Sequence, residues 1–167
     1  MLRYAAYFII TRFGDVGGWI GLSLLFVSFP VIAESQTRGE NALPVLERSL
    51  LATIGGGSLV AVAYLFLARP LLASVSLWRD YVPYAFYIPL WTVRSALGAA
   101  IGVFFSCEQA AGRFRYLWYF IPCVAIESVV MLFLPNLIGV IGWLVATEVV
   151  QVAIIFGMIR RRRRFGT

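Results

Sequence analysis

The chain has 167 residues, of which 61% are hydrophobic and 13% are charged, and its mean hydropathy is +0.87. Soluble domains average about 45–50% apolar and about 25% charged residues, so this composition predicts an integral membrane protein. The net charge is +6, but the sequence shows no basic face, recognition helix or aromatic RNA platform, so we expect no nucleic-acid partner. Histidine is absent, and Cys107 and Cys123 lack the spacing of metal ligands, so we expect neither a metal nor another cofactor.

Long apolar stretches predict the fold. A helix needs about 20 apolar residues to cross a hydrocarbon layer about 30 Å thick. Stretches of about this length predict an all-α membrane bundle of about five transmembrane helices in one domain, preceded by a short apolar piece. The predicted helices cover residues 16–33, 50–70, 82–105, 116–134 and 137–159, with a hydrophilic loop at 34–49 and a basic tail at 160–167.

Prolines and a glycine triplet predict irregular helices. Pro83 and Pro89 fall in the third predicted helix and Pro122 in the fourth, and each removes a backbone hydrogen bond. The third and fourth helices are therefore expected to be kinked. Gly55–Gly57 occupies all sides of the second helix and is expected to loosen it.

Two pairs of glycines have the spacing of close helix contacts. Gly14 with Gly18, and Gly98 with Gly102, are four residues apart. Such pairs let helix backbones approach in lipid, where packing rather than hydrophobicity holds helices together. The alternative is that glycine is simply frequent in membrane helices.

Arginine positions indicate the orientation of the chain. A cytoplasmic C-terminus places nine arginines inside and four outside, which agrees with the positive-inside rule. The run Arg160–Arg164 is then expected to anchor the chain at the anionic membrane surface. Arg3 and Arg12 oppose this orientation, because it places the amino end outside. A signal peptide cleaved after Ala33 is a competing interpretation, but it would leave the terminal arginines outside.

Three charged residues lie near the middle of predicted helices. Arg94, Glu127 and Glu148 are each 11 residues from the expected cytoplasmic helix end, or about 16 Å at 1.5 Å per residue. A charge at that depth costs about 2.5–3.5 kcal/mol, so these side chains should face the bundle interior. Gln151 lies one turn from Glu148 on the same helical face. These four residues are the candidates for a substrate pathway.

The charges have two interpretations. Arg94 and one glutamate could form a buried ion pair that only fixes helix packing. The second carboxylate favours a role beyond packing, because it is either protonated or serves a cation, a proton or a substrate. Arginine suits phosphate because its planar fork binds oxygen atoms bidentately. An enzyme is not expected, since neither histidine nor a serine-lysine or paired-aspartate arrangement accompanies the glutamates.

Two long stretches carry a family resemblance. The first is FVSFPVIAESQTRGENALPVLERSLLATIGGGSLVAVAYLFLARPLL, and the second is SALGAAIGVFFSCEQAAGRFRYLWYFIPCVAIESVVMLFLPNLIGVIGWLVATEVVQ. In the first, a helix ends near a proline, a loop of mixed charge follows, and the next helix ends in Arg-Pro-Leu-Leu. In the second, Gln109–Arg113 forms a small glycine-arginine loop, and Leu137–Trp143 is a glycine-bearing helix entry. This layout resembles the polysaccharide-biosynthesis flippases of the multidrug/oligosaccharidyl-lipid/polysaccharide exporter superfamily.

The resemblance implies export of a lipid-linked saccharide across the inner (plasma) membrane. Those flippases have two lobes of six helices, with basic residues facing the pyrophosphate in the cavity between them, whereas this chain supplies only the last five helices of the C-terminal lobe. It would therefore be a partial transporter that needs a partner transmembrane chain or a homo-oligomer. Arg94 would meet the substrate phosphate, and Glu127 and Glu148 would provide polar lining or ion coupling. The alternative is an accessory or assembly subunit of an envelope-polysaccharide system, without transport activity of its own.

Overall fold

The computed structural model of the protein describes residues 2–134 and 136–165, and these form helices joined by short loops. No strand occurs in this part of the chain. The helices are α1 (Leu2–Gly14), α2 (Val16–Thr37), α3 (Leu43–Ser74), a 3₁₀ segment (Ser76–Tyr84), α4 (Tyr87–Ala110), α5 (Leu117–Met131) and α6 (Leu137–Phe165). The predicted all-α membrane bundle is confirmed.

Four helical segments are long and apolar enough to cross a membrane. They are Ala5–Ser35, Leu43–Ser74, Tyr87–Ala110 and Leu137–Arg164. The first joins α1 to α2, which are separated only by a turn at Asp15. Helix α5 is apolar but has 15 residues, or about 22 Å of helix, which is less than the hydrocarbon thickness of about 30 Å. The fourth predicted span, residues 116–134, is therefore a short helix, whereas the fifth, residues 137–159, lies within the long helix α6.

The observed helix ends differ from the predicted ones where hydropathy is a poor guide. Helix α3 begins at Leu43, well before residue 50, because Pro44 fits the first turn of a helix and Leu46 is buried in the core. The connecting loop consequently shrinks to residues 38–42. Helix α6 continues through the arginines to Phe165, so the basic tail is helical as far as that residue. Residues 166 and 167 of the predicted tail lie outside the described residues.

The prolines do not act as predicted in the third helix. Pro83 lies in the 3₁₀ segment, and Pro89 lies in the first turn of α4. Backbone N–H groups in the first turn have no acceptor within the helix, so a proline there removes no hydrogen bond. Proline therefore supplies no reason for a bend within α4, whereas Pro122 does lie inside α5, as expected. The triplet Gly55–Gly57 does not interrupt α3, which is one continuous α-helix.

Helix α4 lies at the centre of the bundle, in contact with α1, α2, α3 and α6. Two apolar clusters pack along it. One surrounds Phe104 and includes Leu50 and Ile155, and the other surrounds Ile88 and includes Ile141. The sequence positions of these residues place the clusters towards opposite ends of the bundle, with Arg94 between them on α4.

The loop at 38–42, the loop at 111–116 and the last turns of α6 lie at the same end of the bundle. We call this the arginine-rich end, because Arg160–Arg164 is located there. The 3₁₀ segment lies at the other end, where the ring of Trp78 contacts Phe13 at 5.3 Å between centroids. Helices α2 to α6 therefore run in alternating directions, as expected of a multi-pass membrane protein.

Glycines let the end of α1 and the start of α2 approach α4 closely. A Cβ atom on Gly14 would lie 2.5 Å from Trp91 Cδ1, and one on Gly18 would lie 2.5 Å from Ser95 Oγ. Larger residues at these positions would force the helices apart. The second predicted pair behaves differently: Gly98 faces Glu148, whereas nothing in the described chain lies within 4 Å of a Cβ on Gly102. Among the described residues, Gly102 therefore faces no close helix contact.

Candidate functional site

Arg94 of α4 and Glu148 of α6 meet inside the bundle. Arg94 Nε lies 3.1 Å from Glu148 Oε1. The Glu148 side chain is 7% exposed, whereas 31% of the Arg94 side chain is exposed. Gly98, one turn after Arg94, makes room for the carboxylate, since a Cβ atom there would lie 3.3 Å from Glu148 Oε1. The structure thus brings two of the sequence-predicted residues into one ion pair.

The ion pair leaves hydrogen-bonding capacity unused. Arg94 Nε and Glu148 Oε2 are both buried, and neither makes a hydrogen bond with the described residues. The Nε–Oε1 contact is therefore electrostatic rather than an aligned hydrogen bond. A buried polar group without a partner is destabilising by about 1–3 kcal/mol, so both atoms favour an additional polar ligand or a changed geometry.

Glu127 of α5 joins the same layer through Thr147. The Thr147 hydroxyl donates to Glu127 Oε2 at 3.1 Å, and Thr147 directly precedes Glu148 in α6. Gln151 is buried one turn beyond Glu148. The three residues predicted from helix counting are therefore linked through contacts of α6, and Gln151 lies one turn further along that helix. We call Arg94, Glu127, Glu148 and Gln151 the charged layer.

Sequence reasoning missed the part of this site contributed by Asp15. This carboxylate stands at the turn between α1 and α2, and its Oδ1 accepts a hydrogen bond from Trp91 Nε1 at 3.0 Å. The Arg94 guanidinium carbon in turn lies 5.0 Å from the Trp91 ring centroid, within range of a cation–π interaction. A lone carboxylate beside Gly14 in an apolar run was the available signal. Because Asp15 precedes the first predicted helix, helix counting did not reach it.

The level of the charges follows from the observed helix bounds. Glu148 is about 16 Å along α6 from Leu137, whereas Arg94 is only about 10 Å along α4 from Tyr87. The difference arises because α4 begins at residue 87 rather than 82. Apolar clusters still pack on both sides of the layer, so it lies within the bundle rather than at its surface.

A second polar cluster, also missed from sequence, lies at the arginine-rich end. Arg162 donates two hydrogen bonds to Glu108, at 2.6 Å to Oε1 and 2.5 Å to Oε2, and the Glu108 side chain is only 4% exposed. Arg163 pairs with Glu47 of α3. These contacts hold the end of α6 against α4 and α3. Two of the five arginines predicted to anchor the chain at the membrane surface thus bind acidic side chains of the bundle, while Arg160, Arg161 and Arg164 are exposed.

A charged layer of this kind can bind or position a charged group, and it can transfer protons between carboxylates. Within residues 2–134 and 136–165, no three side chains of the metal-ligating types converge on one point. No protein-family model, curated protein or solved structure matches the chain. Any function must therefore be argued from the site itself rather than from a shared fold.

Proposed function

We propose that the chain is a transport subunit that moves a lipid-linked saccharide across a membrane, with a partner transmembrane unit completing the pathway. The observation that carries this proposal is the partial exposure of Arg94, 31% of whose side chain is accessible in the middle of the bundle. A guanidinium group facing hydrocarbon at that depth costs about 2.5–3.5 kcal/mol. Its exposed side should therefore meet water, a partner or an anionic substrate.

The chemistry of Arg94 favours a phosphate group as that substrate. Its contact with Glu148 runs through Nε, and Trp91 lies against the guanidinium group. These two contacts hold the arginine in place while 31% of its side chain remains accessible. A planar guanidinium binds the oxygen atoms of phosphate bidentately and stays charged in an apolar environment. The resemblance to polysaccharide flippases supports a lipid diphosphate-linked sugar as the phosphate-bearing substrate.

The outer face of α5 supports the need for a partner unit. Phe120 is the one buried residue described for this helix, and its neighbour Trp118 is 84% exposed. Helix α5 packs mainly on α6, next to the charged layer. A second transmembrane unit, either another chain or a second copy, would cover this side and enclose Arg94. The excess of arginines at one end supports a cytoplasmic C-terminus in an inner membrane.

One observation favours the alternative, a non-transporting assembly subunit. Glu148 and Glu127 both have partners within the chain, Arg94 and Thr147 respectively. Such contacts can serve helix packing alone. In that case the exposed part of Arg94 would bind a polar group of a partner helix instead of a substrate.

Transport in vesicles tests the proposal. The protein, purified with its copurifying membrane partners, is reconstituted with a fluorescent polyprenyl-diphosphate saccharide, and an impermeant reductant then measures how fast the label changes leaflet. We expect Arg94→Ala to lower this rate by at least about tenfold, equivalent to about 1.4 kcal/mol, and Arg94→Lys to retain part of it.

Arg48→Ala is the matched control, because Arg48 is exposed at the arginine-rich end, away from the charged layer. We expect this variant to keep the wild-type rate. Full activity of both Arg94 variants would contradict a pathway role. Absence of transport by the wild type, together with loss of a copurifying partner in Arg94→Ala, would establish the assembly role instead.

A further inference from the structure

A groove at the arginine-rich end is separate from the charged layer. It lies between the loop at 111–116 and the last turns of α6 and has a volume of about 690 Å³. This volume is in the range of small-molecule binding sites, about 300–1,000 Å³. Its walls carry the arginines Arg113, Arg115, Arg161 and Arg162, and no acidic residue. We call it the arginine groove.

Most of the positive charge in the groove is uncompensated. Arg162 is engaged by Glu108. The other three, Arg113, Arg115 and Arg161, are exposed and form no ion pair with an acidic side chain of the described chain. Their mutual repulsion is unfavourable unless an anion binds between them. The groove is therefore electrostatically suited to a phosphate group.

The two walls of the groove are held in place by one residue. Helix α4 ends at Ala110, Gly112 follows in the left-handed conformation at φ +65°, and the N–H of Arg113 donates to the backbone carbonyl of Glu108 at 2.9 Å. This arrangement is typical of a glycine-terminated helix and turns the loop back towards α6. The side chain of Glu108 meanwhile binds Arg162 of α6. Glu108 thus fixes the loop wall through its backbone and the helix wall through its carboxylate.

The remaining lining distinguishes a lipid from a soluble phosphate. Phe114 and Tyr119 are exposed, and Met158 is half-buried beside them. Aromatic side chains of this kind concentrate where a membrane protein meets the headgroup region. An apolar wall contributes nothing to binding inorganic phosphate, but it contacts the glycerol and upper acyl chains of a phospholipid.

We infer that the arginine groove binds the phosphate headgroup of an anionic phospholipid, with the acyl chains lying along α5 and α6. Basic pockets between transmembrane helices are known to accept such headgroups. The site requires no transport activity, so it stands or fails independently of the proposed function. A bound lipid would bridge the α4–α5 loop and α6.

Native mass spectrometry of the purified full chain tests this inference. The probes are dioleoyl phosphatidylglycerol and dioleoyl phosphatidylcholine, which share acyl chains and differ in charge. The test variant is Arg113→Gln/Arg115→Gln/Arg161→Gln, and the control is Arg48→Gln/Arg160→Gln/Arg164→Gln, which removes three exposed arginines outside the groove. We expect the test variant to bind the anionic lipid at least about tenfold more weakly than the control does, because each arginine removed from the groove takes away its electrostatic attraction for the headgroup.

A second variant keeps the test interpretable if the glutamines disturb folding. Arg113→Lys/Arg115→Lys/Arg161→Lys preserves the charge, and we expect it to bind the anionic lipid within about threefold of wild type. Equal losses in the test and control variants would overturn the site, because binding would then follow total charge. Equal affinity for the two lipids, or displacement of the anionic lipid by an equal concentration of glycerol 3-phosphate, would also overturn it.

Discussion

Replacing Glu108 with glutamine should destabilise the bundle by uncoupling α6 from α4. Removing one partner of a buried ion pair is destabilising by about 3–5 kcal/mol. Glu108 is 4% exposed and its two hydrogen bonds to Arg162 are short, but 20% of the Arg162 side chain is exposed. An arginine at the end of a helix can extend towards the headgroups, which lowers the expected loss for Glu108→Gln to about 2–3 kcal/mol.

A double-mutant cycle isolates this interaction. Glu108→Gln, Arg162→Gln and the double variant are unfolded reversibly in mixed micelles with increasing sodium dodecyl sulfate, followed by circular dichroism. We expect a coupling energy of at least about 1 kcal/mol, since contacting residues within one ion pair are not additive.

The exposed pair Glu34–Arg38 provides the matched control. Its side chains are 61% and 64% exposed, and the residues are four apart along the chain. Such pairs contribute about 0.3–0.5 kcal/mol. A coupling energy for Glu108 and Arg162 no larger than that of the control pair would refute the conclusion that Glu108 holds α6 in place.

Two further changes test the packing around α4 with the same unfolding assay. Gly57→Ala should destabilise the bundle by about 1–3 kcal/mol, because the new Cβ would overlap that of Ala96. Gly102→Ala should be neutral or stabilise the bundle by up to about 1 kcal/mol, since the surroundings of Gly102 are open. Equal effects of the two changes would contradict the close approach of α3 and α4. Asp15→Ala should be destabilising by about 1 kcal/mol through loss of the hydrogen bond from Trp91, and Asp15→Asn, which keeps an acceptor oxygen, by less. Equal losses in the two Asp15 variants would show that the acceptor oxygen is not what stabilises this contact.

The membrane fold could be predicted because it depends on composition and length. Apolar stretches long enough to cross a bilayer are visible without knowledge of any tertiary contact. The placement of Arg94 and Glu148 near one level followed from the fixed rise per residue of a helix. The sequence left two interpretations open, a packing ion pair between Arg94 and one glutamate, and a substrate pathway. Which glutamate contacts Arg94 depends on side-chain geometry, and helix counting does not contain that geometry.

The contacts at the arginine-rich end could not be predicted in the same way. The Glu108–Arg162 pair requires α6 to continue as a helix into the run of five arginines, where hydropathy indicates that a span has ended. The pair joins residues 54 positions apart, so no local sequence spacing predicts it. The late start of α4 was missed for a related reason: the segment before it is as rich in apolar residues as a helix start, but it forms the 3₁₀ segment.

The lipid beside α5 must adapt to a helix about 22 Å long in a hydrocarbon layer about 30 Å thick. A bilayer accommodates a short apolar helix by thinning locally, at a modest cost per ångström of mismatch. Since α5 carries Glu127 and packs on α6, the thinned strip would run alongside the charged layer. Under the proposed function, a polar headgroup moving between leaflets beside α5 would cross a shorter apolar distance than in the unperturbed bilayer, so the length of α5 would lower the barrier to flipping.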